Sequence, residues 1–287
     1  MHPAPFDYLA ARSVDEACAA LSEDPGGTVV LAGGQSLLPR LVRRLERPRR
    51  LVDITRITEL HRLRATPRGL RISAAVTQRT AELFGQLSEF GVLAQALPRV
   101  GKVTTRNRGT ICGSIAHANP AAELGVCLLA LGGDITAVSA AGCRRIPVEE
   151  FFCAPYRTAL NADELVQTVT FNRPGPAAVG HFDEVTLRGA GDTPLVSAAV
   201  TARILDNEAA DLRVAIGGAG QSPVLAGAAV TQALGARLDD DAVDQASQVF
   251  VAGLEFDSDA NGSAEHRRRL AVRLVASLLR RVRKDLP

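Results

Sequence analysis

Two glycine-rich stretches constrain the fold of this chain more than any other feature of its sequence. The first, LAGGQSLLP at 31–39, follows the apolar run 28–30 and precedes an amphipathic segment. The second, TTRNRGTICGSIAHANPAAELG at 104–125, contains Gly109 and Gly113, each followed by a small hydroxyl residue. Glycine exposes backbone N–H groups that can converge on an anion, and a strand-to-helix turn adds the positive end of a helix dipole. Two such loops in one domain suit the diphosphate of a dinucleotide cofactor, although either loop alone would more often be a turn without a ligand.

Other nucleotide-binding folds leave signatures that this sequence lacks. A dinucleotide-binding G-x-G-x-x-G should stand in a βαβ unit, with an acidic residue about 20 positions later. The near matches begin at Gly189 and Gly218, and in both a proline stands where the third glycine belongs. The Gly-Lys-Ser of a P-loop is absent from the sequence. The sequence therefore argues against a Rossmann domain and against a P-loop.

Length and composition bound the remaining possibilities. At 287 residues the chain is long enough for two domains, because single cores commonly split beyond roughly 250 residues. A formal net charge of +2 does not favour nucleic acid as a partner. No apolar run reaches the roughly 18 residues of a membrane span, and the N-terminus lacks the charged and apolar regions of a signal peptide. We therefore expect a cytoplasmic protein without a membrane span.

The five cysteines form no C-x-x-C pair; they are Cys18, Cys112, Cys127, Cys143 and Cys153. Their spacing fits neither a zinc ribbon nor a cysteine-bound iron–sulfur cluster. Free thiols in a reducing cytoplasm are the expectation. No Ser/His/Asp arrangement, acid–base pair or metal cluster is recognisable, so the sequence predicts neither a catalytic residue nor a metal ligand in this chain.

Hydrophobic periodicity predicts a first half of mixed helices and strands. Helices are predicted at 14–23, with Ser13 as N-cap, at 36–46 and over 78–98, and strands at 27–34, 51–55, 70–77, 135–140 and 164–171. The Pro/Gly-rich segment 172–178 is the predicted domain boundary. Beyond it, three consecutive antiparallel strands are predicted at 181–187, 195–204 and 211–218, followed by helices at 225–236, 239–253 and 263–284.

Two groups of cations raise a choice between a solvated surface and a docking site. One is the arginine run at positions 40, 43, 44, 47, 49 and 50, and the other is the set of eight Arg and Lys residues from Arg267 to Lys284. A solvated face is the ordinary explanation for each, and the helix dipole favours the final cations. Contact with a partner subunit stays open as the alternative.

Taken together, the two loops resemble those of a specific protein family. LAGGQSLLP together with RNRGTICGSIAHANPAAELG is similar to the FAD-binding medium subunit of molybdenum hydroxylases, which include aerobic carbon monoxide dehydrogenase and bacterial xanthine dehydrogenase. The similarity runs along essentially the whole chain, including FDYLAARSVDEACAAL, LVDITRITEL, RIPVEEFF and GSAEHRRRLAVRLV. The resemblance implies an α+β fold. A two-subdomain PCMH-type FAD-binding domain would span 1–176, and a small domain of the carbon monoxide dehydrogenase flavoprotein type, with a three-stranded antiparallel sheet and helices, would span 177–287.

The resemblance also implies which residues bind FAD. The first loop would hold the diphosphate and the second would face it, with an acidic residue and two apolar positions lining the cofactor. These residues are Val30, Leu31, Ala32, Gly33, Gly34, Gln35, Ser36 and Leu37 in the first loop, Thr110, Ile111, Cys112, Gly113 and Ser114 in the second, and Val100, Glu123 and Leu165 elsewhere.

Three positions depart from the family pattern, and the mildest change is Asn119, where the family commonly has an acidic residue. Cys112 stands where the family usually has the first glycine of Thr-Ile-Gly-Gly. If that position requires a positive φ, cysteine would be strained and FAD affinity would suffer; otherwise a small side chain would be tolerated. Asp183 stands where a lysine is common, so no function is assigned to it.

The resemblance further implies a multi-subunit complex. Electrons would come from two [2Fe-2S] clusters in a small subunit, which receive them from a large molybdopterin subunit, and would leave through FAD to an external acceptor. A dimer of such heterotrimers is possible. The alternatives are a scaffold subunit that has lost FAD, which Cys112 would favour, and a self-contained flavoenzyme such as an enolpyruvyl-sugar reductase. The organic substrate and the acceptor cannot be read from this chain.

Overall fold

A computed structural model describes residues 2–188, 193–206, 208–220, 222–233 and 238–286. The near match to a dinucleotide fingerprint at 189–191 and the end of the helix predicted at 225–236 lie outside these ranges. Within them, the strands form a three-stranded, a five-stranded, a four-stranded and a two-stranded sheet.

The first half contains ten strands in three of these sheets. They are β1 (Asp7–Ala10), β2 (Thr28–Leu31), β3 (Arg50–Asp53), β4 (Leu63–Ala65), β5 (Gly69–Ser73), β6 (Gly133–Ser139), β7 (Gly142–Pro147), β8 (Phe152–Ala154), β9 (Arg157–Thr158) and β10 (Leu165–Asn172). A parallel sheet has the order β1-β3-β2, and an antiparallel sheet has the order β4-β5-β10-β6-β7. These two sheets are the cores of two subdomains, as the family resemblance predicts, and β8 and β9 form a small hairpin.

Eight short helices connect these strands. They are α1 (Val14–Glu23), α2 (Leu37–Val42), α3 (Gln78–Glu82), α4 (Gly91–Ala96), α5 (Val103–Arg106), α6 (Ile111–His117), α7 (Glu123–Leu131) and α8 (Val148–Phe151). The prediction for α1 is confirmed, including its cap: the Ser13 hydroxyl accepts the N–H of Glu16 at 3.1 Å. The segment 78–98, predicted to be helical, contains α3 and α4, which are separated by a turn and a 3-10 helix at Leu87–Phe90.

The second half is an antiparallel sheet covered by helices. Its elements are β11 (Ala178–Thr186), β12 (Pro194–Leu205), β13 (Glu208–Gly217), β14 (Val224–Leu225), α9 (Ala228–Ala233), α10 (Asp240–Ala252) and α11 (Ala264–Lys284). The three long strands pair in chain order as predicted, and the two-residue β14 adds a short edge beside β13. The helix predicted at 263–284 is confirmed as α11. Its apolar side chains Leu274, Leu278 and Val282 are buried against this sheet and α10, and Leu270 in the same i, i+4 series is partly buried.

The two halves share part of one core. Phe182, Ala199 and Ala215 belong to strands of the second sheet but pack in the hydrophobic cluster of the first half. The strands approach the first-half helices so closely that a Cβ on Gly180 would lie 2.7 Å from a methyl group of Val92. None of the helices in the described ranges is long and apolar enough to cross a membrane.

Candidate functional site

A cavity of about 570 Å³ lies where the two glycine loops meet. Fourteen of the sixteen predicted cofactor-binding residues line it: Val30, Ala32, Gly33, Gly34, Gln35, Ser36, Leu37, Val100, Thr110, Cys112, Gly113, Ser114, Glu123 and Leu165. Leu31 and Ile111 do not line it. Leu31 is the last residue of β2, and Ile111 is fully buried in the core at the start of α6. The structure thus brings together residues from both loops that lie far apart in the sequence.

The first loop presents a run of unpaired backbone donors to this cavity. Between β2 and α2, no N–H group of residues 33–36 donates a hydrogen bond to any other described residue. Gly34 has φ +70°, a conformation that side chains rarely adopt, and it turns the chain into α2. Consecutive free N–H groups around such a turn form a nest of the kind that binds anions.

Gly33 is required for a different reason. A Cβ at this position would overlap the carbonyl oxygen of Arg108 and lie 2.7 Å from the Cα of Gly109. The backbone of the first loop therefore touches the backbone of the second, and glycine is what permits the approach. The sequence interpretation had assigned Gly33 only to phosphate access, so its packing function is an addition from the structure.

The second loop uses its glycine and hydroxyl groups internally. Thr110 caps α6: its hydroxyl accepts the N–H of Gly113 at 3.0 Å, and its carbonyl oxygen accepts the N–H of Ser114 at 3.1 Å. The N–H group of Cys112, by contrast, has no carbonyl or side-chain oxygen acceptor among the described residues. This N–H group, rather than those of Gly113 and Ser114, remains available to a ligand, whereas Ile111 is buried outside the cavity lining.

Cys112 adopts ordinary helical geometry in the first turn of α6 and is absent from the residues with positive φ. Its thiol is buried and donates to the carbonyl oxygen of Ile72 at 3.4 Å. Burial raises the pKa of this thiol to about 12. The backbone strain that a cysteine could have introduced is therefore absent, and the side chain packs as a small neutral group.

A buried carboxyl group faces the cavity at the start of α7. Glu123 is 6% exposed, lines the cavity, and has a pKa raised to about 7, mainly by burial and further by the charge of Glu184. Glu184 lies on β11, and burial also raises its pKa to about 7. One of its carboxyl oxygens is buried without a hydrogen-bond partner in the described chain. The two carboxyl groups are close enough for the charge of one to affect the other, although Glu123 is in the first half of the chain and Glu184 in the second.

The wall formed by Val100 and Gly101 is fixed by a buried arginine. One guanidinium nitrogen of Arg106 donates to the carbonyl oxygens of Val100 at 3.1 Å and Gly101 at 2.9 Å. The Nε atom of the same side chain donates to Glu82 at 2.9 Å. On the other side of this wall, Arg99 pairs with Asp183, which also accepts from Arg281 of α11 at 2.7 Å. Asp183, to which the sequence assigned no function, links the wall to the C-terminal helix.

Sequence reasoning missed several cavity residues. Gln78 is 4% exposed, lines the cavity, and has a buried side-chain oxygen without a partner among the described residues. Thr28 is equally buried, with its hydroxyl unpaired. At the mouth, the guanidinium carbon of Arg40 lies 5.8 Å from the ring centre of Tyr156, whose ring is 5.1 Å from that of His117. No local signal marks these residues, because each reaches the cavity through contacts between segments distant in the sequence.

The hydrogen-bonding groups of the cavity suit a dinucleotide cofactor. It offers free N–H groups from two loops, buried polar side chains without partners, and glycines at points where a Cβ would not fit. Within the described ranges, no group of three or more His, Cys, Asp or Glu side chains is placed to hold a metal ion.

Comparison with known proteins decides the family. A family model described as the FAD binding domain in molybdopterin dehydrogenase matches residues 4–173, and one described as the CO dehydrogenase flavoprotein C-terminal domain matches 181–282. The chain belongs to this flavoprotein family. It is 33% identical over 270 residues to the nicotine 6-hydroxylase medium subunit of Paenarthrobacter nicotinovorans, which covers 93% of this chain and 94% of that subunit.

Two further relatives are similar to this chain along essentially their whole length. The glyceraldehyde dehydrogenase medium chain of Sulfolobus acidocaldarius is 32% identical over 98% of this chain and 100% of that one. The carbon monoxide dehydrogenase of Hydrogenophaga pseudoflava has a TM-score of 0.95 at 27% identity, with full coverage of both chains. The flavoprotein is thus an FAD-binding oxidoreductase subunit of the molybdenum hydroxylase type. The predicted family, fold class and FAD cofactor are confirmed.

Proposed function

We propose that the cavity between the two loops holds FAD, with the diphosphate on the free N–H groups of residues 33–36. The observation that carries this proposal is that run of four consecutive unpaired donors at a left-handed glycine. The N–H group of Cys112 would approach the same diphosphate from the second loop, while Glu123 and Val100 would line the rest of the cofactor. Leu165 lines the same cavity from β10.

Bound there, FAD supplies the two-electron redox centre that receives electrons from the [2Fe-2S] clusters of a small subunit and passes them to an external acceptor. The chain itself binds, orients and partly desolvates the cofactor. We further propose that the FAD-binding domain is 1–176 and the C-terminal domain 177–287, a division supported by the spans of the two family models. A cytoplasmic location and a dimer of heterotrimers, with the large molybdopterin subunit as the third component, complete the proposal.

A flavin measurement tests the cofactor proposal. The chain purified within its complex should show flavin absorbance with about one FAD per chain. Acid precipitation should release the flavin, because no covalent linkage is expected. A folded chain without flavin absorbance, even after incubation with FAD, would contradict the proposal and favour a scaffold function. No observation favours that scaffold, since Cys112 introduces no strain into the second loop.

A further inference from the structure

The short helix α2 has apolar residues on two sides, and one of these sides is exposed. In a surface helix the apolar stripe ordinarily faces the core. Here only Leu41 is buried at 2% exposure, whereas Leu38 is 46% and Val42 is 42% exposed. Leu45, which follows the helix, is 65% exposed. An apolar surface of this kind, when contiguous, marks an interaction site.

The end of α2 is held in a defined conformation. Arg44 has φ +56°. Its N–H group donates to the carbonyl oxygen of Leu41 at 3.0 Å, and the N–H group of Leu45 donates to the carbonyl oxygen of Arg40 at 2.9 Å. These two bonds form a Schellman motif, which fixes the residue after the left-handed position relative to the helix. In addition, the side chain of Arg44 donates to the carbonyl oxygen of His2. Leu45 is therefore exposed by an ordered turn.

Three of the four arginines around this surface lack acidic partners in the described chain, whereas Arg40 pairs with Glu46. The side chain of Arg43 makes no hydrogen bond or ion pair there, and the side-chain hydrogen bonds of Arg44 and Arg47 go to carbonyl oxygens. The next two arginines of the run are different, because Arg49 pairs with Asp24 and Arg50 with Glu23. On α11, Arg280 pairs with two aspartates in the same way. Three arginines without an acidic partner in the described chain thus lie where these apolar side chains are exposed.

This surface continues into the mouth of the cofactor cavity. Ser36 and Leu37, at the start of α2, line the cavity, as do Arg40 and the 51% exposed Tyr156. A protein seated on α2 would therefore stand at the cavity mouth. The electron donor of a flavin subunit has to approach the bound cofactor, and this surface borders the cavity that would hold it.

We propose that the α2 surface, made of Leu38, Val42 and Leu45 with Arg43, Arg44 and Arg47, docks the [2Fe-2S] subunit through a face that combines apolar side chains with carboxylates. This inference rests on the proposed function. Arginine and apolar side chains are the usual composition of an interface centre, and complementary charge sets orientation and association rate. The arginine run, for which the sequence left solvated surface and partner contact open, is thereby divided: positions 40, 49 and 50 are paired within the chain, and positions 43, 44 and 47 face the partner.

The test measures assembly with each partner subunit separately. The Val42→Glu/Leu45→Glu double variant and the Arg43→Glu/Arg47→Glu double variant are purified with FAD, and their dissociation constants for the isolated [2Fe-2S] subunit are measured. Both should rise at least about tenfold, and the arginine variant should lose most of the salt dependence of binding. The matched control is Leu205→Glu/Val249→Glu, which places two glutamates on exposed apolar positions of the C-terminal half and should bind normally. Flavin content should stay unchanged in all three.

Wild-type affinity of both variants for the [2Fe-2S] subunit would overturn the inference, as would loss of binding to the molybdopterin subunit alone. If the apolar variant loses flavin, the arginine variant decides the question, because Arg43 makes no contact that the fold needs. A chain that assembles with both subunits but never binds FAD contradicts the proposed function. A chain that binds FAD and tolerates the α2 variants contradicts only this inference.

Discussion

At the scale of single residues, Gly33 and Gly34 are neighbours that are required for unrelated reasons. Gly34 supplies a left-handed backbone conformation, and Gly33 supplies room for the second loop. The first requirement is local and depends on φ alone. The second depends on Arg108 and Gly109, which lie on another segment of the chain, so substitution at Gly33 should separate the two loops.

We expect Gly33→Ala to abolish stable FAD binding and to destabilise the protein by about 2 kcal/mol, because the added methyl group overlaps backbone atoms that cannot rotate away. Gly85→Ala is the matched control, since a Cβ there meets nothing within 4 Å. Flavin-to-protein ratio after gel filtration and the midpoint of thermal unfolding are the measurements. A Gly33→Ala protein that keeps its flavin would show that the loops do not need to touch.

Glu123 should make stability depend on pH. Its folded pKa of about 7 lies above the ordinary 4.5, so the folded state holds a proton that the unfolded state releases earlier. The contribution is fully present below pH 4.5 and is lost as pH rises through 7, a change of about 3 kcal/mol. In the FAD-free protein, Glu123→Gln should flatten the fall in unfolding free energy between pH 5 and pH 8.

Denaturant titrations at several pH values measure this slope. Glu255→Gln, at an exposed position, is the control and should leave the slope unchanged. An unaltered slope in Glu123→Gln would mean that Glu123 is charged in the folded protein at neutral pH.

The sequence predicted the cavity well where a motif carries the function and poorly where a distant contact does. The two loops were recognisable because glycine has a local reason to be there. Gln78, Glu184 and Arg106 carry no such mark. Each becomes part of the site only after α3, β11 and α5 have packed around Val100 and Glu123.

At the scale of elements, α5 acts as the support of one cavity wall. Its only buried residue, Arg106, ties the turn at Val100–Gly101 to Glu82 of α3. A four-residue helix has little stability of its own, so this side chain holds the helix and the wall together. The pair is buried, which makes removal of one partner costly.

We expect Arg106→Met to lower the unfolding free energy by about 3 kcal/mol and to weaken FAD binding, because two carbonyl oxygens and Glu82 lose a buried donor. Glu82→Gln should cost less, since the arginine keeps both carbonyl bonds. Urea unfolding and FAD titration of the FAD-free protein test the order. Equal stability of the wild type and Arg106→Met would exclude this supporting function.

The sequence predicted the helices and strands that have a regular hydrophobic periodicity. It did not predict those that lie in glycine- and alanine-rich segments. The strand pattern of the second half and the caps of α1 come directly from alternation and a serine. The helix α6 was treated only as a loop, because Gly113 and His117 stand in a sequence that favours turns. Its helical state depends on the Thr110 cap and on packing of Ile111 against the core.

At the scale of the whole molecule, the contact between the two halves, here called the seam, is buried and hydrogen-bonded like the interior of a single domain. Gln95 of α4 donates to the carbonyl oxygen of Gly180 and accepts the N–H of Phe182, so it pairs with β11 as a strand would. Phe182 is 1% exposed beneath this contact. The proposed domains therefore bury apolar surface in common, unlike domains joined by a flexible linker.

We expect residues 1–176 expressed alone to aggregate or to stay partly unfolded. Removing the second sheet exposes side chains such as Val92, Leu93 and Val126, and each costs about 1.5–3 kcal/mol, which together approach the stability of a typical domain. Co-expression with 177–287 should restore a folded, flavin-binding pair. Circular dichroism, gel filtration and flavin content provide the comparison. A stable, flavin-loaded 1–176 fragment would show that the seam is dispensable.

The first residue of helix α7 lines the cofactor cavity, and the last turn of the same helix is hydrogen-bonded to side chains of the C-terminal half. The carbonyl oxygen of Ala130 accepts from the Thr201 hydroxyl at 2.7 Å, and that of Leu129 accepts from Arg213 at 2.8 Å. Recombination between relatives at the 172–178 boundary would exchange both donors at once. A chimaera would inherit a working flavin site only if the incoming half supplied a hydroxyl at 201 and a guanidinium at 213. The C-terminal half therefore helps to hold the helix that carries Glu123, although most of this half lies outside the cavity.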